Sequence, residues 1–262
     1  ADSYEQRWHS LEGLGLAQPN TFSPDGTTTY ATTTHPEPDG CRLWALASAS
    51  GDVQWCRSYP PSIGQGAVEV DAQGRLYFTV GSSLVSLSPE GESLWTTDFS
   101  AEGEADAPWG LHFTPDGHIA TVTSSGVVTL IERHSGRVLD SLAIASEWGF
   151  VPPTMLDLSG ELDLTSLLPE AVQADVRAVW GEPDPSEDSS AGVAGFLGAG
   201  GFVDNTLGVD RDGRLYIIGG GPDEDHGALV QIIVTGSPSE PRLRPGWAAI
   251  TQGGSATSPS IS

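Results

Sequence analysis

A repeated pattern of turns and strands constrains the fold of this chain more than any other feature of the sequence. Four segments share one template: a polar turn that ends in Gly, an apolar strand, a second strand, another turn with Gly, and a strand that often carries Trp. The glycines that end the four leading turns are Gly26, Gly74, Gly117 and Gly213. Each supplies the positive φ that a tight hairpin turn needs. The 33 Gly and 19 Pro residues agree with a chain of many turns.

The spacing of these turns predicts how the strands assemble. The first two intervals lie between about 40 and 50 residues, the length of one four-stranded blade of a β-propeller. A single blade cannot bury both of its faces, so neighbouring blades must stack around a common axis. The predicted fold class is therefore all-β, a β-propeller with four recognisable four-stranded blades. The tryptophans of the outer strands, such as Trp55 and Trp95, are expected to wedge between neighbouring blades.

The best repeats resemble those of a known family. Residues 42–46 with 50–55, and residues 71–95, follow the pattern Asp-x-x-Gly-Arg-Leu-Tyr, then Leu-x-Ala-Leu, then x-Gly-x-x-x-Trp. This pattern resembles the repeat of quinoprotein-like (PQQ-like) β-propellers, a group of folds that also resembles the WD40 repeat. The resemblance implies the fold and says little about function, because such propellers include dehydrogenases, assembly scaffolds and sensors.

The two ends of the chain carry strands without a blade of their own. Residues 5–11, which include Trp8, resemble an outer strand, and residues 254–261 resemble an innermost strand. Either these two strands pair and close a small ring, or residues 1–262 form one domain of a larger propeller. We favour the second alternative because a bare innermost strand would be an exposed sheet edge. A second polypeptide, or a region outside this sequence, would then complete the propeller.

An insertion separates the third and fourth repeats at residues 148–201. Residues 168–181 are predicted to form a short helix, with Pro169 in its first turn and Gly181 at its end. Residues 182–190 form an acidic loop by composition. Long insertions on a rigid scaffold often carry function, and the alternatives are a surface loop without a role or a degenerate fifth blade.

The only two cysteines, Cys41 and Cys56, flank a predicted hairpin. If its register centres near residues 48 and 49, the cysteines lie opposite each other on two antiparallel strands, within disulfide range. A disulfide there implies an oxidising compartment, so we expect an extracytoplasmic protein, periplasmic or secreted, of bacterial type. The alternative is a pair of buried thiols in a cytosolic protein.

One acidic loop is a candidate metal site. It lies between two strands of the fourth blade, and carboxylate oxygens of this kind suit Ca²⁺. The alternative is a solvated hairpin loop. The candidate ligands are Asp223, Glu224, Asp225 and His226.

A second candidate site lies where the innermost strands begin, because these positions line the central channel of a propeller. Similar positions carry Asn, Asp and Glu in calcium-dependent propeller lactonases. The alternative is that these residues bond their own turns. The candidate ligand-binding residues are Asn20, Trp109, Asp204 and Asn205.

The charge of the chain excludes several classes of partner. Thirty-five acidic residues against 11 basic ones give a net charge of −24. Nucleic-acid affinity comes from Lys and Arg on phosphates, so no nucleic-acid partner is expected. No run of 18 apolar residues occurs, so no membrane span is expected either.

These observations favour a ligand- or protein-binding module or scaffold over an enzyme. Bound PQQ is not expected from this chain alone, because it lacks the adjacent Cys-Cys pair of quinoprotein alcohol dehydrogenases. The alternative is half of a propeller enzyme whose site a second chain completes. Such an enzyme would be a quinoprotein-like oxidoreductase or a metal-dependent hydrolase of the lactonase type.

Overall fold

The four predicted blades are four antiparallel four-stranded sheets. A computed structural model describes residues 8–12, 20–33, 40–59, 68–100, 106–152, 202–203 and 206–252. Consecutive strands pair within each sheet, from the innermost to the outermost. Within this part of the chain the secondary structure is otherwise limited to one short helix.

Each blade takes its four strands from one continuous stretch of sequence. Blade 1 contains β1 (Thr21–Phe22), β2 (Thr28–Thr32), β3 (Cys41–Ala47) and β4 (Val53–Ser58). Blade 2 contains β5 (Glu69–Val70), β6 (Leu76–Val80), β7 (Ser83–Leu87) and β8 (Ser93–Asp98). Blade 3 contains β9 (His112–Phe113), β10 (Ile119–Val122), β11 (Val127–Ile131) and β12 (Val138–Ala143), and helix α1 (Ile144–Trp148) follows it. Blade 4 contains β13 (Gly208–Val209), β14 (Leu215–Gly220), β15 (His226–Ser237) and β16 (Glu240–Gln252).

The repeated Asp-x-x-Gly-x-x-Tyr pattern forms the turn between the first two strands of a blade. In blade 2 the carboxylate of Asp71 accepts the backbone N–H groups of Gln73 and Arg75. The hydroxyl of Tyr77 donates to the other oxygen of the same carboxylate at 3.0 Å. Burial, together with this hydrogen bond, raises the pKa of Tyr77 to about 12. The side chain of Asp71 therefore stabilises the turn and accepts the hydrogen bond of the buried Tyr77 hydroxyl.

The same turn recurs in blade 4. Asp210 accepts the N–H groups of Asp212 and Arg214, and the hydroxyl of Tyr216 donates to it at 3.1 Å. The turn glycine, Gly213, has φ of +81°. The conserved geometry explains why the pattern can be recognised in the sequence at both places.

The hydrophobic core is divided among the seams between consecutive blades. One cluster joins Tyr30 of blade 1 to Phe78 of blade 2, and a second joins Tyr77 to Ile119 of blade 3. The largest joins blades 3 and 4 and includes Leu130. The blades thus bury their faces against each other, as the repeat predicts.

An indole crosses the first two seams, which confirms the predicted wedges. Trp55 of blade 1 donates its N–H to the carbonyl of Pro89 in blade 2 at 3.1 Å, and its ring lies on Gly91. Trp95 of blade 2 donates to the carbonyl of Arg133 in blade 3 at 3.1 Å, and its ring lies on Gly136. Each glycine lies in the turn before the outer strand of the next blade, so the seams share one geometry, which we call an indole dock.

Trp8 makes the same contact on the outer side of blade 1. Its indole N–H donates to the carbonyl of Ser48 at 2.9 Å, and its ring lies on Gly51. Residues 8–12 form no strand, although Trp8 takes the place of an outer-strand tryptophan. Residues 5–7 and 254–261, predicted as strands, lie outside the described residues.

The predicted disulfide between Cys41 and Cys56 is confirmed, but its predicted register is wrong. The cysteines are bonded, with their Cα atoms 5.7 Å apart. Cys41 pairs with Ser58, and Cys56 pairs with Trp44, so the two cysteines are diagonal rather than opposite. Irregularities in the β3–β4 pairing shift the register, and a symmetric count about the turn does not detect them.

Blade 4 departs from the template at its outer hairpin. Its third strand, β15, extends over His226–Ser237, and its outer strand, β16, extends over Glu240–Gln252, both longer than the corresponding strands of blades 1–3. In blade 3, on the side of the seam that faces blade 4, Asp140 lies where blades 1 and 2 carry tryptophan. Its carboxylate accepts the N–H of Leu243 at 2.7 Å. A charged hydrogen bond therefore replaces the indole dock at this seam.

Most of the insertion lies outside the described residues, including the predicted helix at 168–181 and the acidic loop at 182–190. The described start of the insertion follows α1, a helix that the sequence patterns did not predict, and Val151 bridges to Gly221 of blade 4. Among the residues described, no helix has the length and apolar character needed to cross a bilayer.

Candidate ligand-binding site at the innermost strands

The innermost strands lie side by side, β1 next to β5 and β9 next to β13. The first residue of each innermost strand has the same place in the sheet register. It pairs with the second residue of β6, β10 or β14, and in blade 1 with the third residue of β2. In a propeller this edge of the blades faces the central channel. The residues at this position are Thr21, Glu69, His112 and Gly208.

Glu69 is a half-buried acid in an otherwise apolar strand. Val68 belongs to the cluster between blades 1 and 2, and Val70 packs against it. Because side chains alternate along a strand, Glu69 lies on the opposite face, toward blade 3. Its carboxyl has no hydrogen-bond or ionic partner among the described residues. Burial raises the pKa of Glu69 above its ordinary value of 4.5.

His112 occupies the same position in the next blade. Its neighbours Leu111 and Phe113 lie in the seam between blades 2 and 3, so the imidazole lies on the face toward blade 4. Burial lowers the pKa of His112 below its ordinary value of 6.5, which favours the neutral ring at neutral pH. Within the described part of the chain the ring has no hydrogen-bond partner, so one nitrogen can donate and the other accept.

Trp109, a predicted channel residue, lies three positions before His112. Its backbone N–H bonds to the carbonyl of Val122, and its ring packs against the cluster between blades 3 and 4. The indole N–H is buried and has no hydrogen-bond partner among the residues that the structure describes. Leaving such a donor unpaired costs about 1–3 kcal/mol, so an acceptor in a bound molecule would be favoured there.

The structure does not test the other predicted channel residues as a ligand set with Trp109. Asn20 is exposed and lies directly before β1, in blade 1, and no described contact joins it to Trp109. Asp204 and Asn205 lie outside the described residues. The structure therefore tests neither of these two ligand predictions.

The acidic loop of blade 4 is organised as a turn around one carboxylate. Asp223 accepts the backbone N–H of Asp225 at 3.1 Å and contacts Nδ1 of His226 at 2.5 Å. The hydrogen bond with the His226 side chain lowers the pKa of Asp223, and the backbone hydrogen bonds lower it by smaller amounts. In the described part of the chain, no three His, Cys, Asp or Glu side chains are arranged to hold a metal ion. Calcium binding by Asp223, Glu224, Asp225 and His226 stays a prediction.

Sequence reasoning missed Glu69 and His112. The predicted channel residues lie six to nine residues before a turn glycine, whereas these two side chains lie five residues before one. A usable signal was present: each is a titratable residue between two apolar ones, in Val68-Glu69-Val70 and Leu111-His112-Phe113. Such a residue on the second face of a strand must lie in a seam or at the channel edge.

Two solved structures share this arrangement of strands. Quinohemoprotein alcohol dehydrogenase ADHIIG from Pseudomonas putida HK5 is 16% identical, and the similarity covers 95% of this chain and 36% of that one, with a TM-score of 0.54. Quinohemoprotein alcohol dehydrogenase from Comamonas testosteroni is 12% identical, covering 94% of this chain and 37% of that one, with a TM-score of 0.55. The fold is a β-propeller.

The comparisons go no further than the fold. The WD40 repeats of RRP9 match at 15% identity with a TM-score of 0.40, over 51% of this chain and 40% of that chain. This chain spans little more than a third of either dehydrogenase. No protein-family profile matches the sequence, and no curated protein matches it significantly.

Proposed function

We propose that this chain is a non-catalytic, extracytoplasmic binding module that takes a ligand or a segment of a partner protein at the channel edge of blades 3 and 4. The observation that carries the proposal is the buried indole N–H of Trp109, which has no partner in the described part of the chain. The unpaired imidazole of His112 lies on the same segment and faces the same seam. The indole can donate one hydrogen bond, and the imidazole can donate one and accept one. Together they can hold a carbonyl, carboxylate or hydroxyl oxygen of a ligand.

The disulfide supports the location part of the proposal. The bond between Cys41 and Cys56 closes a separation of 15 residues in a chain that has no other cysteine. Structural disulfides persist in oxidising compartments and are rare in the cytosol. A periplasmic or secreted location agrees with this bond.

The third part of the proposal is that the propeller is larger than the four blades described. Trp8 already covers the outer face of blade 1, so blade 4 of the same chain has no vacant indole dock on blade 1. A second polypeptide or further residues are proposed to complete the ring.

The binding site can be tested by the NMR signals of the indole N–H groups. Acetate and glucose would be titrated separately into ¹⁵N-labelled protein, with the Trp109 signal assigned by its loss in Trp109→Phe. The expected result is a saturable shift of the Trp109 signal with one of the two probes, while the signal of the exposed Trp247 does not move. If neither probe moves the Trp109 signal at concentrations up to about 10 mM, a range typical of weak ligand contacts, the proposed site is wrong.

The enzyme alternative is distinguished by the content of the protein purified from its natural compartment. An absorbance scan and metal analysis of the intact particle are expected to find neither quinone nor stoichiometric metal. A quinone band would favour an oxidoreductase, and one metal ion per chain would favour a metal-dependent hydrolase.

A further inference from the structure

Trp247 of blade 4 occupies the position of the two tryptophans that form indole docks in blades 1 and 2. In each of these blades the outer-strand tryptophan lies across the sheet from the tyrosine of the second strand. The ring centroids are 6.0 Å apart for Tyr30 and Trp55, and 5.9 Å apart for Tyr77 and Trp95. The corresponding separation in blade 4, between Tyr216 and Trp247, is 6.2 Å. Trp247 is thus placed as a donor for an indole dock.

None of the four described blades covers this donor. Trp247 is 44% exposed, and its indole N–H has no acceptor among the described residues. Tyr30 and Tyr77 are fully buried by the blade that follows, whereas Tyr216 is half-buried. Ile218 and Leu229 pair with each other on the same face and are half-buried as well. We call this apolar surface, formed by Tyr216, Ile218, Leu229 and Trp247, the free face of blade 4.

Blade 1 carries the matching acceptor on its outer side. Its Gly51 turn offers the carbonyl of Ser48, in the same way as the turns that receive Trp55 and Trp95. The cover on this side is a short segment rather than a sheet: Trp8 and Leu11 pack on Cys41, Trp44 and Leu46. Leu11 has φ of +59°, a left-handed conformation that is unfavourable for a residue with a side chain. A cover that includes a strained residue is easier to displace than a blade.

The charges of the two surfaces are complementary, although the whole chain is strongly acidic. Arg244 on β16 is exposed and forms no ion pair among the described residues. Two exposed acids lie on neighbouring turns of blade 1: Asp52 directly after Gly51, and Asp25 on the turn whose Thr27 carbonyl accepts the N–H of Ser48. Local attraction of this kind orients two molecules that otherwise repel each other.

From these observations we infer that two copies of this chain associate head to tail, with the free face of blade 4 of one copy on the outer face of blade 1 of the other. Trp247 displaces Trp8 of the other copy and donates its indole N–H to the carbonyl of Ser48. This contact repeats, between molecules, the direction of the docks within the molecule, in which each tryptophan points to the next blade. The inference rests on the ring-completion part of the proposed function and names the partner as a second copy.

Concentration-dependent sedimentation of the full chain tests the inference. The wild type is expected to form a dimer, and Trp247→Ala is expected to weaken it at least about tenfold, as central interface tryptophans do. Trp8→Ala is expected to tighten it, because the competing indole is removed. Leu94→Ala, at an exposed apolar position of β8, is the matched control and should leave the dissociation constant unchanged.

A cross-linking experiment keeps the test decisive if Trp8→Ala unfolds. Ser50→Cys protein and Trp247→Cys protein would be mixed and oxidised, and a covalent heterodimer is expected, whereas either variant alone should give only a minor dimer band. The inference is overturned if no heterodimer forms, if every variant sediments as a monomer, or if Trp247→Ala leaves a dimer unchanged. None of these results affects the titration of Trp109, so failure here is distinguishable from failure of the proposed binding site.

Discussion

At the scale of single residues, two glycines with nearly the same backbone conformation have different roles. Gly26 has φ of +71° and Gly136 has φ of +73°. A Cβ at residue 26 would meet nothing within 4 Å, whereas a Cβ at residue 136 would lie 2.5 Å from Cε3 of Trp95. The first glycine is required for backbone conformation alone, and the second also leaves room for the indole that crosses the seam.

This difference predicts the stabilities of two alanine variants. Gly26→Ala is expected to lower the free energy of unfolding by about 1 kcal/mol, the cost of a left-handed alanine. Gly136→Ala is expected to cost at least about 2 kcal/mol more, because the indole must also move. Urea unfolding of both variants measures the difference, and equal losses would contradict the role given to Gly136.

The titration of His112 predicts a pH dependence of stability. Its pKa is lower in the folded chain than in the unfolded chain, so the unfolded chain binds the proton first as pH falls. Folding should therefore lose stability as pH drops through about 6.5, and His112→Gln should remove that loss. The measurement is urea unfolding of the wild type and the variant at several pH values from about 7.5 to about 5.5, roughly one unit on either side of the ordinary value.

Glu69 provides a control whose effect on stability should change with pH in the opposite direction to that of His112. Its raised pKa makes the folded chain bind the proton first, so this residue adds stability as pH falls toward its ordinary value of 4.5. Glu69→Gln should therefore remove a gain at low pH rather than a loss. If both variants follow the wild-type profile, neither side chain is buried as described.

At the scale of strands and turns, the sequence predicts most where one residue type has one geometric role. The pattern around Gly74 and Tyr77 identified β6 correctly, because the turn and the strand alternation agree there. The long β15 and β16 could not be predicted, because the pairing that extends this hairpin has no signal in the local sequence pattern. Of the candidate site, Trp109 is predictable from its place at the start of an innermost strand, whereas the environments of Glu69 and His112 depend on the neighbouring blade.

The strand-to-turn contacts predict the cost of losing one indole. Trp95→Ala removes a ring from the second seam and the bond to the carbonyl of Arg133. We expect it to cost roughly 3–5 kcal/mol in the free energy of unfolding. Trp247→Ala is the matched control because its ring is uncovered, and in the monomer it should cost far less. A loss under about 1 kcal/mol for Trp95→Ala would mean that the seam does not depend on the dock.

The disulfide makes a prediction for the β3–β4 hairpin. Cys41→Ser with Cys56→Ser opens a loop of 15 residues, for which chain entropy gives a loss of about 3 kcal/mol. Thermal unfolding of this double variant should match that of the wild type under reducing conditions. An unchanged melting temperature in both would show that the bond adds no stability.

At the scale of the whole molecule, net charge opposes the compact state. Thirty-five acidic side chains against 11 basic ones repel one another over distances that salt can screen. The described ion pairs are few and mostly at the surface, such as the one between Arg57 and Glu92 at 3.0 Å. Repulsion should therefore dominate the response to salt.

The prediction is a melting temperature that rises when sodium chloride is increased to about 0.5 M, where the Debye length is only a few ångströms. Differential scanning calorimetry at fixed pH measures it. A melting temperature that falls with salt would mean that local ion pairs outweigh the overall repulsion.

The indole docks place one natural fluorophore in each of the first two seams and a third under the cover of blade 1. Trp8, Trp55 and Trp95 each change from a packed to a solvated ring when one particular contact opens, and they do so at different places along the arc. Stacked units that touch only their neighbours can separate one at a time. Proteins that retain a single one of these tryptophans would record, by emission wavelength alone, the order in which the blades come apart.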